Sequence, residues 1–140
     1  MRRQFNVGVV IGMLGLALVV GCAKRPVDFR GVRVTDPTTI TIANILEPFE
    51  QTLTALNVEA NTLFVSGLIT REQAKWWAGL SEKAVIADEA LAQALRIAAV
   101  SPTIENSTNV ANALNAFNIA FNALLEYHKG MIADTTERAS

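Results

Sequence analysis

The stretch VANALNAFNIAFNALLEYHKGM, residues 110–131, decides the fold. Val110, Leu114, Phe117, Phe121, Leu124, His128 and Met131 recur at alternating steps of four and three, which places them on one face of an α-helix. A helix with a single apolar stripe is stable only when another element covers that stripe. The covering elements are therefore to be sought upstream.

Two segments carry the same spacing. Trp77, Leu80, Ala84, Ala87, Leu91, Ala94 and Ala98 form a second seam, and Ile42, Leu46, Phe49, Leu53, Leu56, Ala60 and Leu63 a first. The second is largely alanine, which lets a neighbouring backbone approach at the low end of the ~8–10 Å interaxial range. Thr70 followed by Gln73 has the form of a capping box at its start, and Pro102 ends it at Val100 by disfavouring helical geometry in Ser101. Gly67 is the expected stop of the first helix. Pro48 interrupts that helix: either it starts near Leu46 or Glu47, or a bent or two-piece helix begins near Thr39. The bent or two-piece helix is the expected form. The third helix opens at Ser101 and Pro102 or, after a short loop, at Ser107 or Thr108.

Three seams joined by short connections predict an all-α domain over residues 39–133, an antiparallel three-helix bundle or a helical hairpin with a kinked first helix. The hairpin form would complete its core as a homo-oligomer. Off the seams lie Val85, Ile86, Ile97 and Ile119. A wider core accounts for them first and a partner surface second. The polar residues 134–140 read as a flexible tail.

Residues 22–38 contain Pro26, Gly31 and Pro37 and lack helical period, so they read as a flexible tether. A short extended piece over 31–35 has no visible strand to pair with and is not expected to be stable alone. Before the tether, residues 1–21 have the three parts of an export signal: basic Arg2 and Arg3, an uncharged apolar run from Val7 to Val20, and a small residue, Gly21, at a processing point. The run is short of the ~20 apolar residues that a spanning helix needs. The only cysteine, Cys22, follows Gly21 directly, and an odd cysteine in an exported chain asks for an explanation other than an internal disulfide.

Val19-Val20-Gly21-Cys22 resembles the lipobox of bacterial lipoproteins. The resemblance implies cleavage between Gly21 and Cys22, diacylglycerol on the Cys22 thiol and an acyl chain such as palmitate on the new amine. Two or three acyl chains hold a protein at a membrane almost permanently, each buried methylene contributing ~0.8 kcal/mol. Ala23 is not the aspartate that retains enterobacterial lipoproteins at the inner membrane, so the implied address is the periplasmic face of the outer membrane. The stretch Gly67 to Ala74 before an alanine-rich helix is similar to small helical proteins of tailed phages and prophages. That resemblance implies superinfection exclusion by receptor masking, or lysis of the outer-membrane spanin kind. Proline-rich sequence beyond the lipobox, common in spanin subunits of that kind, is missing here.

A length of 140 allows one domain. Setting aside Arg2 and Arg3, ten basic residues face 13 acidic ones. The basic ones crowd near the anchor, with Lys24, Arg25, Arg30 and Arg33 forming a collar that anionic headgroups would attract at ~1 kcal/mol per residue. A solvated linker is the alternative reading of the collar. No basic stripe of the kind that nucleic acid requires is present.

Catalytic, metal and cofactor sites are not expected. The single histidine, His128, lies on a seam and reads as structural, and one histidine cannot supply a zinc site. Glu47 with Glu50, and Asp88 with Glu89, do not converge as an acid–base pair, and no phosphate-binding glycine loop occurs. Trp77 belongs to its seam, whereas Trp76 is displaced from it; core or margin packing is the first reading for Trp76 and an interface the second. Asn115, Asn118 and Asn122 cluster on one flank of the third helix as a solvated face or a recognition surface. The expected protein is a small lipid-anchored envelope protein, a non-catalytic interaction or structural module with the membrane as one partner and an unidentified envelope protein as another. Without lipidation it becomes an uncleaved single-pass membrane protein or a secreted bundle.

Overall fold

The computed structural model describes residues 27–140. Among them are a β-hairpin, β1 (Val27–Phe29) and β2 (Val32–Val34), and three helices, α1 (Pro37–Val65), α2 (Arg71–Val100) and α3 (Ile104–Ala139). The helices pack as an all-α bundle, connected by short turns and running alternately up and down.

The boundaries follow from capping chemistry. Asp36 opens α1 by accepting from the Thr39 amide at 2.9 Å, with Pro37 in the first turn, where a missing N–H costs nothing. That amide bond holds the Asp36 carboxyl below its ordinary pKa, against the smaller opposing effect of burial. At the other end Gly67 takes φ +72°, and the amides of Gly67 and Leu68 return to the carbonyls of Phe64 and Leu63 at 3.0 and 2.9 Å. This pair of bonds is a Schellman motif, and its left-handed residue favours glycine. The capping box at Thr70 forms in both directions, at 2.8 and 3.1 Å. α3 begins between the two expected starts, with Thr103 as its cap.

Pro48 lies inside α1 and does not start it. It denies the Asn44 carbonyl its usual partner. Both residues are on the exposed side, where water can meet the freed carbonyl.

Expected seams one and three are buried or half-buried at every position. Seam two is displaced by one residue at alternate positions. Its buried set is Trp77, Ser81, Ala84, Asp88, Leu91, Leu95 and Ala98, with Ala92 beside it, while Leu80, Ala87 and Ala94 are half-buried. The backbones of α2 and α3 run closest together, as an alanine-rich surface permits. Between α1 and α3 the space is filled by rings: Phe49 meets Phe117 and Phe121 edge-on, with centroids 4.7 and 4.9 Å apart. Aromatic pairs favour that geometry.

Several expectations are corrected. Residues 27–34 of the expected tether over 22–38 form an antiparallel hairpin that pairs Val27 with Val34 and Phe29 with Val32. Alone, three-residue strands would be marginal, but Phe29 and Val34 are buried and β2 packs on α2. Residues 37–38 belong to α1, and the expected tail over 134–140 is helical to Ala139, where buried Thr135 extends the third seam by one step. Val85, Ile86, Ile97 and Ile119 do not widen the core; they are exposed. Among the described residues no helix is long and apolar enough to cross a membrane.

Candidate functional site

Gly21 and Cys22, the expected cleavage and lipidation residues, lie outside the described residues. The described chain begins five positions after Cys22 and enters the bundle through the hairpin, so the first site to build is the one that holds the hairpin down. Its two-residue loop is Arg30-Gly31, with φ of 46° and 83°. Positive φ at both loop positions matches the twist of the flanking strands, and a side chain in this region is disfavoured by roughly 1–2 kcal/mol. The unusual position directs Arg30 into the bundle. Its guanidinium donates to Asp88 of α2 at 3.1 Å and also pairs with Glu50 of α1, and it lies 5.2 Å from the centre of the Phe29 ring.

Asp88 is buried, and its second oxygen has no hydrogen-bond partner. Burial pushes its carboxyl above the ordinary value, and Arg30 opposes that shift only in part. One cation thus joins three elements. Glu50 and Asp88 came from different candidate carboxylate pairs in the sequence, and the hairpin arginine that unites them carried no motif.

A second polar group sits toward the α1–α2 turn. Trp77 donates its indole N–H to Asn57 Oδ1 at 2.8 Å, and the Ser81 hydroxyl donates to the same oxygen at 3.1 Å. His128, buried and 5.8 Å from the Trp77 ring, meets Glu59 at 2.9 Å through Nε2, and its Nδ1 has no partner. These contacts bind α1, α2 and α3 together, and His128 is built into the core. Beside them an open groove of 620 Å³ runs between α1 and α2, with Asn57, Asn61, Phe64, Trp77, Val85 and Ile86 among its lining.

The expected partner residues are all at the surface. Trp76 is 60% exposed rather than packed at the core margin, above a shallow depression that also involves Lys75, Gly79 and Lys83. Asn115, Asn118 and Asn122 are exposed on α3 beside Ile119. No hydrogen bond or ring contact joins Trp76 to these asparagines, so the four residues do not form one site.

Among the described residues no hydroxyl shares a hydrogen bond with His128, and no group of three or more His, Cys, Asp or Glu is placed to hold a metal ion. Compared with protein-family models, with curated proteins and with solved structures, the chain matches none.

Proposed function

We propose that this chain is a lipid-anchored envelope protein whose helical bundle acts as a non-catalytic interaction or structural module. The observation that carries the reading is Val19-Val20-Gly21-Cys22 at the end of an apolar, basic-headed segment. The hairpin supports it. The hairpin is docked by Arg30, Phe29 and Val34, and its first strand starts five positions after Cys22 in sequence, so an anchor at Cys22 would act close to the bundle.

The phage-like stretch does not narrow the role. Gly67 supplies the left-handed turn, Thr70 and Gln73 the capping box, and Ile69 a buried contact. Helix capping therefore accounts for the motif. Superinfection exclusion and spanin-like lysis remain roles for an anchored module of this kind, and the outer membrane its proposed address.

Intact-mass analysis with membrane fractionation of the full chain beside Cys22→Ser tests the anchor. The expected wild-type product starts at Cys22, carries acyl chains and sediments with membranes, while the variant keeps residues 1–21. Equal, unmodified masses for the two would refute the proposal.

A further inference from the structure

The two ends of the bundle both expose aliphatic side chains. At the α1–α2 turn Val65 is 77% exposed, with Phe64 and Leu68 beside it; at the α2–α3 corner Val100 is 76% exposed, Ile104 90% and Ile97 48%. Exposure alone does not separate the ends, since single exposed aliphatics are ordinary. The path of the chain does. Val27 pairs with Val34, two residues before the Asp36 cap, so the chain enters at the end that holds the start of α1 and the α2–α3 corner. Four residues separate Cys22 from Val27, and the five steps of chain between them reach at most ~18 Å when fully extended. The far end of α1 lies ~42 Å away along a helix of this length.

The near end has the composition of a surface that meets a bilayer. Val32 of the hairpin, Ile97 and Val100 line a 340 Å³ cleft together with Arg96, and Arg33 is exposed on β2. Lys24 and Arg25 precede the hairpin in sequence. Against these cations stand Asp28, the register partner of Arg33 across the hairpin, Asp36, engaged as a helix cap, and Glu105 in the first turn of α3; with Arg96, Lys24 and Arg25 the balance stays basic. Aliphatic side chains set among lysines and arginines are what an anionic headgroup layer accepts.

We propose that the end formed by Val32, Ile97, Val100 and Ile104 is a membrane-contact tip, resting in the headgroup layer of an anionic bilayer and standing the bundle on the membrane. The proposal rests on the lipid anchor at Cys22 proposed above. A tip of this kind fixes orientation: the α1–α2 turn, with its groove and Trp76, points away from the lipid toward whatever the module meets.

The test uses the full chain, processed by the expressing cells and reconstituted into vesicles of phosphatidylethanolamine and phosphatidylglycerol. Val100→Cys and Val65→Cys, matched in exposure and at opposite ends, are each labelled with an environment-sensitive nitrobenzoxadiazole group and challenged with a lipid-borne spin quencher. When Cys22 is alkylated, the introduced thiol is the only one that labels. The expected result is one label per chain, with blue-shifted emission at residue 100 and quenching there at least threefold stronger than at residue 65. One label with equal quenching at both ends overturns the tip and leaves the anchor standing, whether the bundle lies flat or floats free. Two labels per chain mean a free Cys22 thiol, and the tip then falls together with the anchor.

Discussion

Ser81 and Asp88 occupy the same heptad position of α2, two turns apart, and both are buried. Their neighbours answer them differently. The Ser81 hydroxyl joins a neutral group centred on Asn57, whose oxygen already receives Trp77. Asp88 meets a charge brought from outside the three helices, Arg30 of the hairpin, and keeps one oxygen unpaired. A buried hydroxyl is satisfied within the bundle, whereas a buried carboxylate needs a cation. Supplying it is what ties the hairpin, and with it the entry of the chain, to the helices.

The most direct way to break the comparison is to remove the cation. Arg30→Ala leaves Asp88 buried with neither oxygen paired, and losing one partner of a buried ion pair costs ~3–5 kcal/mol. Because the Arg30 side chain is 28% exposed, the loss is expected at the lower end, about 3 kcal/mol in urea-induced unfolding. The double variant with Asp88→Asn should recover part of it. Equal losses in the single and double variants would show that Arg30 acts through Glu50 and Phe29 and not through Asp88.

How far this was legible in the sequence follows from the same pair. Seams one and three were readable because their buried positions are nearly all apolar. Seam two was read one residue off at Leu80, Ala87 and Ala94, since the true positions include a serine and an aspartate, which an apolar count discards. A polar residue at seam spacing has meaning only once its partner is known, and the partners, Asn57 and Arg30, lie 24 and 58 residues away. The strand that pairs with the extended piece over 31–35 is illegible for related reasons: three-residue strands are too short to show alternation, and Arg-Gly lacks the Asn-Gly or Asp-Gly signature of such turns. Asp36-Pro37 is a legible helix start, an N-cap residue followed by proline in the first turn, three residues before the expected start at Thr39. At the α2–α3 corner Pro102 marks the break, but the exposed aliphatics carry no signal, because Val100 and Ile104 fit no seam and their exposure depends on where the turn places them.

Ser81→Ala sharpens the contrast at intermediate size. Asn57 Oδ1 keeps its bond from Trp77, so no buried acceptor is stranded, and the expected cost is that of one modest hydrogen bond, ~0.5–1 kcal/mol. A loss as large as that of Arg30→Ala, read in the same unfolding assay, would mean that the neutral group holds the bundle as firmly as the ion pair does.

The smallest expected effect lies in pH dependence. Burial raises the Asp88 carboxyl above its ordinary value of 3.8, despite Arg30. A carboxyl raised in the folded state binds its proton more tightly there than in the unfolded chain, so the stability it contributes is present at low pH and lost as pH rises through its folded pKa. Acidifying from neutrality into the range just above 3.8 should therefore stabilise the protein slightly, by less than the ~1.4 kcal/mol per pH unit that a single group can give. Asp36 works in the opposite sense and in a lower window: its carboxyl is held below 3.8 by the Thr39 amide, so its stabilisation is lost only as pH falls through that depressed value. Asp88→Asn should flatten the profile above 3.8 and leave the fall below it intact. If the profile of Asp88→Asn matches wild type across both windows, Arg30 neutralises Asp88 fully and the aspartate is, in its effect on stability, as quiet as Ser81.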